Sequence, residues 1–333
     1  MNTDQLRTQF STGFEIVSFE RSIAVHADSF DWMGRIPEAS IHAIVTDPPY
    51  GVKEYDHDQL QKRSDGNGGV WRIPPSFDGN IRSPLPRFTA LNEQDRVRLQ
   101  EYFTDWANLV YRVLLPGGHV FLASNTFLSQ IVFSAIADAG LEFRGQIIRL
   151  VRTLRGGDRP KNAEREYSGV CSMPRGCHEP WGLFRKPLPT GMTVSACLNE
   201  FQTGGLRRKP DGNPFEDVIV SERTPRQERQ VADHPSLKPQ SFLRQIVYAS
   251  LPLGQGIVLD PFMGSGSTIA AAESLAYNAI GVERRQEYYD MSQQAVPALA
   301  GFGTAEAQLG FASPASSPYG NWQERFSHAQ HNA

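Results

Sequence analysis

One stretch restricts the fold more than any other: Ile257-Val258-Leu259-Asp260-Pro261-Phe262-Met263-Gly264-Ser265-Gly266-Ser267-Thr268. An apolar run of this length reads as a buried strand, and the glycines after it let backbone approach a ligand closely. An Ala-rich helix follows through Tyr277. Ala279-Ile280-Gly281-Val282-Glu283 then reads as a second strand ending in a carboxylate, about twenty residues after the glycines. Strand, tight turn, helix and parallel strand make a right-handed crossover, so the chain is committed to a mostly parallel α/β sheet. A phosphate-binding loop would need Lys before the last Ser/Thr, and this segment has none. An acid at the position of Glu283 accepts from ribose hydroxyls in nucleoside-binding sheets.

The rest of the chain repeats the alternation. Ile23–Asp28 and Ile41–Val45 read as strands, each leading into a carboxylate, Asp28 and Asp47. Two such ends fit the carboxyl edge of a parallel sheet, although Asp28 suits a helix N-cap equally well. Asn92–Asp95 opens a helix whose stripe is Leu99, Phe103, Trp106, Val110 and Val113, all read as core. Pro116-Gly117-Gly118 stops it ahead of a strand over 119–123. A helix over about 127–139 and a strand over 146–151 follow. Near the other end, Phe242, Leu243, Ile246, Val247 and Ser250 share one face of a helix opened by Pro239. A last helix over 286–296 is expected to break at Pro297.

After Ile41–Val45 comes Thr46-Asp47-Pro48-Pro49-Tyr50-Gly51. Two prolines end a ladder, because neither has an N–H. Asp47, the Pro48 carbonyl and the Tyr50 ring are therefore presented at the sheet edge. Paired acceptors suit both hydrogens of an exocyclic amine, and an aromatic face suits a flat base. Residues 52–91 are rich in Gly, Pro, Ser and charge, which reads either as a mobile lid over this edge or as a disordered insertion.

Between Arg144 and Pro189 ten Lys/Arg face four acids, in a chain whose net charge is −3. Such a patch suits phosphate, with Arg152, Arg155, Arg159 and Lys161 as the candidate DNA contacts, while a solvated charged surface is the plainer account. The three cysteines, Cys171, Cys177 and Cys197, lack the short spacing of a zinc knuckle and read as reduced thiols; no metal is expected. No apolar run reaches the ~20 residues of a membrane span. Nor does a signal-like segment open the chain, and a cytoplasmic protein is expected.

Asp47-Pro48-Pro49-Tyr50, together with the glycine-turn unit, resembles the amino-methylating DNA methyltransferases that act on adenine N6 or cytosine N4. With the catalytic segment first, the basic interval second and the glycine turn last, the order resembles the family's β group. That resemblance implies a circularly permuted, doubly wound Rossmann-like methyltransferase sheet carrying an inserted target-recognition region. It implies a catalytic half over 15–150, a recognition region over 151–232, a cofactor-binding half over 233–300, and a disordered tail over 301–333. Asp47, Pro48, Pro49 and Tyr50 would be catalytic. S-adenosylmethionine would lie against Asp28, Lys238, Asp260, Pro261, Phe262, Gly264, Gly266, Thr268 and Glu283. Ser267 stands where Thr is more usual in the family. Asp rather than Ser at position 47 points, by resemblance, to adenine N6 ahead of cytosine N4. The implied partner is duplex DNA with its target base flipped, and the resemblance leaves room for a homodimer and a cognate restriction enzyme. A relative that binds DNA without turnover, and methylation of RNA or of a protein glutamine amide, are the competing readings.

Overall fold

A computed structural model describes residues 2–49, 93–151, 163, 165–171, 174, 176–232 and 237–303. Tyr50, the 52–91 interval, the four basic residues Arg152, Arg155, Arg159 and Lys161, and nearly all of the expected tail lie outside the described residues.

The strands are β1 (Glu15–Ser18), β2 (Ser22–His26), β3 (Ile41–Thr46), β4 (Leu114–Ala123), β5 (Glu142–Leu150), β6 (His178–Arg185), β7 (Val218–Val220), β8 (Ile257–Asp260) and β9 (Asn278–Glu283). They form one sheet in the order β1-β2-β9-β8-β3-β4-β6-β5-β7. From β2 to β4 every neighbouring pair is parallel. β6 then inserts antiparallel to both β4 and β5, and β1 runs antiparallel to β2. Sequence alternation explains why both faces are covered. Ile23, Val25, Ile44, Val120, Leu122, Leu259, Ile280 and Val282 enter one core, while Ala24, Ala43, Val45, Phe121, Ala123, Val258 and Ala279 enter the other. Adjacent strand residues point to opposite faces, so an unbroken apolar run needs a helical layer on each side.

On the first face pack α1 (Thr3–Phe10), α2 (Ser29–Arg35), α3 (Glu93–Val113) and α4 (Ser129–Asp138). The α3 stripe is buried as expected, with Phe103, Trp106, Val110 and Val113 fully enclosed. On the second face lie α7 (Gln240–Ser250), α8 (Ser267–Ser274) and α9 (Gln286–Ala300). Small residues on this side admit the helices closely. A Cβ on Gly281 would collide with the Met263 sulfur and with Ile269 of α8. The short helices α5 (Val194–Phe201) and α6 (Arg226–Val231) belong to the stretch between β6 and α7.

Three boundaries differ from expectation. β4 begins at Leu114, directly after α3, because Pro116-Gly117-Gly118 is carried inside the strand, and Gly117 N–H bonds the Lys186 carbonyl. β5 begins at Glu142, four residues earlier than read, because β6 pairs along its whole length. Pro297 does not end α9. The helix runs on to Ala300 because buried Leu299 anchors its last turn, and Arg244 donates to the Leu299 and Ala300 carbonyls at 3.0 and 3.2 Å.

The basic interval also changes character. Arg149 and Arg185 are buried and paired with Glu179 and Glu142, and the Lys186 ammonium donates to the Leu114 carbonyl. These three cations serve the sheet and do not add to a phosphate surface. Among the described residues no helix is long and apolar enough to cross a membrane. Cys171 and Cys177 are exposed and Cys197 is buried; no group of three metal-ligating side chains gathers among the described residues.

Candidate active site at the carboxyl edge of the sheet

β3 and β8 are neighbours in the middle of the sheet, so the segments that follow them meet at its carboxyl edge. The Thr46 hydroxyl, last in β3, donates to Asp260 Oδ1, last in β8, at 2.6 Å. Asp47 and the glycine turn thus leave the sheet side by side. Asp47 is half-buried, Pro48 buried and Pro49 exposed at this rim.

Asp260 is enclosed. Burial pushes its carboxyl up to about 6, against the Thr46 and Thr268 hydroxyls and the Phe262 N–H, which stabilise the charged form. Its Oδ1 accepts that N–H at 3.1 Å and so fixes the start of the turn, Pro261-Phe262. The turn needs its glycines. Gly264 and Gly266 have φ of 54° and 88°, and a Cβ on Gly266 would strike Val296 of α9. Gly266 caps α8, with Thr268 buried in its first turn.

Glu283 ends β9 and folds over the turn, taking the Gly264 N–H on Oε2 at 3.0 Å and the Arg285 N–H on Oε1 at 2.8 Å. Asp28 follows β2, whose His26 is in register with Glu283. It is exposed and caps α2, accepting from Phe30 and Asp31 N–H at 2.9 and 3.4 Å. The N-cap role is therefore real, and Asp28 occupies the same edge as Glu283. Phe30 contacts Tyr102 at 5.1 Å, and Phe262 contacts Trp106 at 6.1 Å, so aromatic rings wall this side. Burial, then the Asp28 charge, raise the Tyr102 phenol to about 12.

Lys238 precedes α7 and reaches across to Asp47, Nζ to Oδ2 2.7 Å. Its second partner is Glu179 Oε1 at 2.8 Å. Glu179 Oε2 in turn takes Arg149 Nη1 at 2.9 Å. β6 runs antiparallel to β4, so its first residues, His178 and Glu179, arrive at the edge where β3 and β4 end. The cross-strand register places Arg149 opposite Glu179. Burial opposes the charge on Lys238, but Asp47 and Glu179 outweigh it and hold the ammonium above its ordinary value. Burial likewise works against Glu179, yet Lys238 and Arg149 hold its carboxyl below the ordinary value.

The sequence-predicted residues Asp47, Pro48, Pro49, Lys238, Asp260, Pro261, Phe262, Gly264, Gly266, Thr268 and Glu283 thus lie along one edge, with Asp28 beside them. Thr46, Glu179 and Arg149 were not singled out as site residues. Thr46 sits inside the Pro-Pro motif and could have been read as a second acceptor-facing group. Glu179 and Arg149 carry no local signal, since only the pairing of β5 with β6 gives them meaning. The Ser265 hydroxyl is buried in the glycine turn with no hydrogen-bond partner among the described residues.

The geometry has counterparts. A family model described as DNA methylase, the N6/N4 methyltransferase family, matches residues 41–294. The Type II methyltransferase M.HindIII of Haemophilus influenzae is 26% identical over 290 residues, covering 80% of this chain and 92% of that one. M2.DpnII of Streptococcus pneumoniae is 22% identical, covering 84% and 90%. Among solved structures the PvuII DNA methyltransferase, described as cytosine-N4-specific, superposes with a TM-score of 0.53 at 13% identity, covering 88% and 91%. The M1.HpyAVI–SAM complex gives 0.50 at 18% identity, covering 82% and 98%. At these identities the structural likeness speaks for the fold, a mixed α/β architecture on a mostly parallel sheet. The match over residues 41–294 places this chain in the N6/N4 DNA methylase family.

Proposed function

We propose that this protein is a site-specific methyltransferase that takes its methyl group from S-adenosylmethionine and places it on the exocyclic N6 of adenine in duplex DNA. The observation that supports this most directly is the Thr46–Asp260 hydrogen bond, which joins the Pro-Pro rim to the glycine turn. Donor and acceptor sites built separately on these two segments would share one cleft.

The residues fit the cofactor. Glu283 keeps lone pairs for ribose hydroxyls after its two backbone bonds, and the Ser265 hydroxyl, without a hydrogen-bond partner among the described residues, offers a polar contact beside the turn. Asp28 and the aromatic wall of Phe30, Tyr102 and Phe262 suit an adenine. When bound, S-adenosylmethionine supplies an electrophilic methyl carbon on a sulfonium.

The remaining work belongs to the chain. The target base is flipped out of the stack, costing a few kcal/mol. Asp47 and the Pro48 carbonyl accept the two amine hydrogens and Tyr50 stacks on the base. An arylamine is a weak nucleophile, so holding its lone pair in line is the main contribution. With S-adenosylmethionine bound beside Asp47, the held nitrogen would receive the methyl group that the sulfonium gives up, and the surplus proton would leave the nitrogen toward solvent at the rim. Residues 151–232 would supply the recognition surface, with Arg152, Arg155, Arg159 and Lys161 on phosphates.

Incubation of duplex DNA with labelled S-adenosylmethionine, followed by digestion to nucleosides, tests the reading. N6-methyladenine is the expected product. N4-methylcytosine would replace adenine by cytosine, whose amine presents the same two hydrogens. DNA binding with no labelled nucleoside would refute the catalytic role.

A further inference from the structure

The rim holds a charge arrangement that the methyl-transfer scheme does not use. Lys238 Nζ lies 2.7 Å from Asp47 Oδ2 and 2.8 Å from Glu179 Oε1, so one ammonium bridges two carboxylates. Glu179 is itself clamped. Arg149 Nη1 holds its other oxygen at 2.9 Å, while Arg149 Nε and Nη2 are anchored on the Ser221 hydroxyl and the Glu222 carbonyl, both at 3.0 Å. The Arg149 guanidinium also sits over the Phe242 ring at 5.3 Å. The side chains of Lys238, Asp47 and Glu179 are only 14%, 16% and 13% exposed, so solvent does not loosen the set.

We propose that Glu179 is a positioning residue for methyl transfer: by holding Lys238 in place from the rigid antiparallel β5–β6 pair, it fixes the carboxylate of Asp47 against the target amine. This rests on the reading of Asp47 as the group that accepts from that amine. The logic is mechanical. Asp47 directly follows the end of β3 and precedes a proline pair that has no N–H with which to continue the ladder. Lys238 comes from a four-carbon stem with many rotamers, and one carboxylate partner would leave it free to swing with Asp47. A second, immobile partner removes that freedom. Glu179 is suited to this because its oxygens face opposite cations in a fixed order, Lys238 on one and Arg149 on the other. The quartet is neutral as a whole, which lets it sit at a half-buried rim without an uncompensated charge.

Glu179→Gln and Glu179→Asp test the role in the folded, full-length protein. With E179Q, kcat for DNA methylation is expected to fall roughly tenfold to a hundredfold, the range for a small misplacement of a reacting group. KM for DNA and the affinity for S-adenosylmethionine, read by calorimetry, should stay within about twofold, since both oxygens of Glu179 are committed to Lys238 and Arg149. The alkaline limb of the kcat–pH profile should move to lower pH. Of the groups facing Lys238, Glu179 and Asp47 raise its proton affinity while Arg149 and burial lower it, so losing one carboxylate tips the balance. E179D keeps the charge and withdraws it by one methylene; its kcat should be intermediate and its alkaline limb near that of the unaltered protein. E179D also serves if E179Q does not fold. Unchanged kcat in E179Q, or lower kcat with an unmoved alkaline limb in both variants, would overturn the role of Glu179 while leaving methylation by the unaltered protein intact. Unaltered protein that transfers no methyl group would overturn the functional reading itself.

Discussion

Replacing Lys238 by Met removes the ammonium and keeps most of the side-chain volume, which isolates the electrostatic part of the rim. Asp47 and Glu179 both contact that nitrogen, so without it two carboxylates remain within about 6 Å of each other. Unit charges at that distance repel by about 3 kcal/mol at an effective dielectric constant of 20. Removing one partner from a buried ion pair costs about 3–5 kcal/mol, and Arg149 still compensates Glu179, so the lower end applies. Because folded proteins are stable by only about 5–15 kcal/mol, a deficit near 3 kcal/mol is easily resolved by urea titration. The buried Trp106 and Trp181 provide the fluorescence signal.

The pH dependence sharpens the test. In the unaltered protein Glu179 is held below its ordinary 4.5, so its contribution is full above that value and fades only as pH falls through the depressed one. Lys238 is held above its ordinary 10.5, so its contribution is full below that value and fades as pH rises through the raised one. Both are therefore present from about pH 5 to pH 10. In K238M the facing carboxylates raise each other's proton affinity, and acid relieves the repulsion by protonating one of them. The deficit should be about 3 kcal/mol at pH 7.5 and clearly smaller at pH 5. A deficit under 1 kcal/mol at pH 7.5, or one equal at both pH values, would refute this account of the rim.

Thr46→Val should cost about 1–2 kcal/mol at pH 8, because it leaves the buried Asp260 carboxylate short of a donor, and the loss should shrink below pH 6 where that carboxyl is protonated. Calorimetric melts at the two pH values check it; the unaltered protein, too, should gain stability from Asp260 as pH falls from 7 toward 4, since the folded state binds that proton more tightly than the ordinary 3.8. Gly266→Ala combines a left-handed backbone with a collision against Val296 and should destabilise by about 2 kcal/mol or more, visible as a lowered Tm. Glu283→Gln should weaken S-adenosylmethionine binding by about tenfold and also lower the melting temperature, because the amide NH2 replaces one of the two oxygens that accept the Gly264 and Arg285 N–H groups; calorimetry measures both.

The parts legible in the sequence are those whose physics is local. β3, β8 and β9 are buried on both faces and so read as apolar runs, and α3 shows its stripe at helical spacing. The glycine turn and the Pro-Pro rim announce themselves through backbone chemistry. β6 was hidden because Pro180 and Gly182 interrupt its apolar pattern inside a stretch read as basic surface; Gly182 is required there, since a Cβ would meet Phe133 and Phe184. Arg149 counts toward the basic excess of its interval, yet it is buried against Glu179, because charge alone does not say where a side chain points. Pro297 looked like a helix end because the capping Arg244 lies on another helix. In each case the missing information was a partner distant in the chain.

The central sheet carries a consequence for biosynthesis. β2 waits for β9, and β3 for β8, so strands made early acquire these neighbours only when residues near 257–283 have emerged from the ribosome. Until then the nascent chain holds apolar strands with open edges, the condition in which chains depend on chaperones. The rim and the glycine turn also come together only in that final step, so methylating capacity cannot precede completion of the sheet.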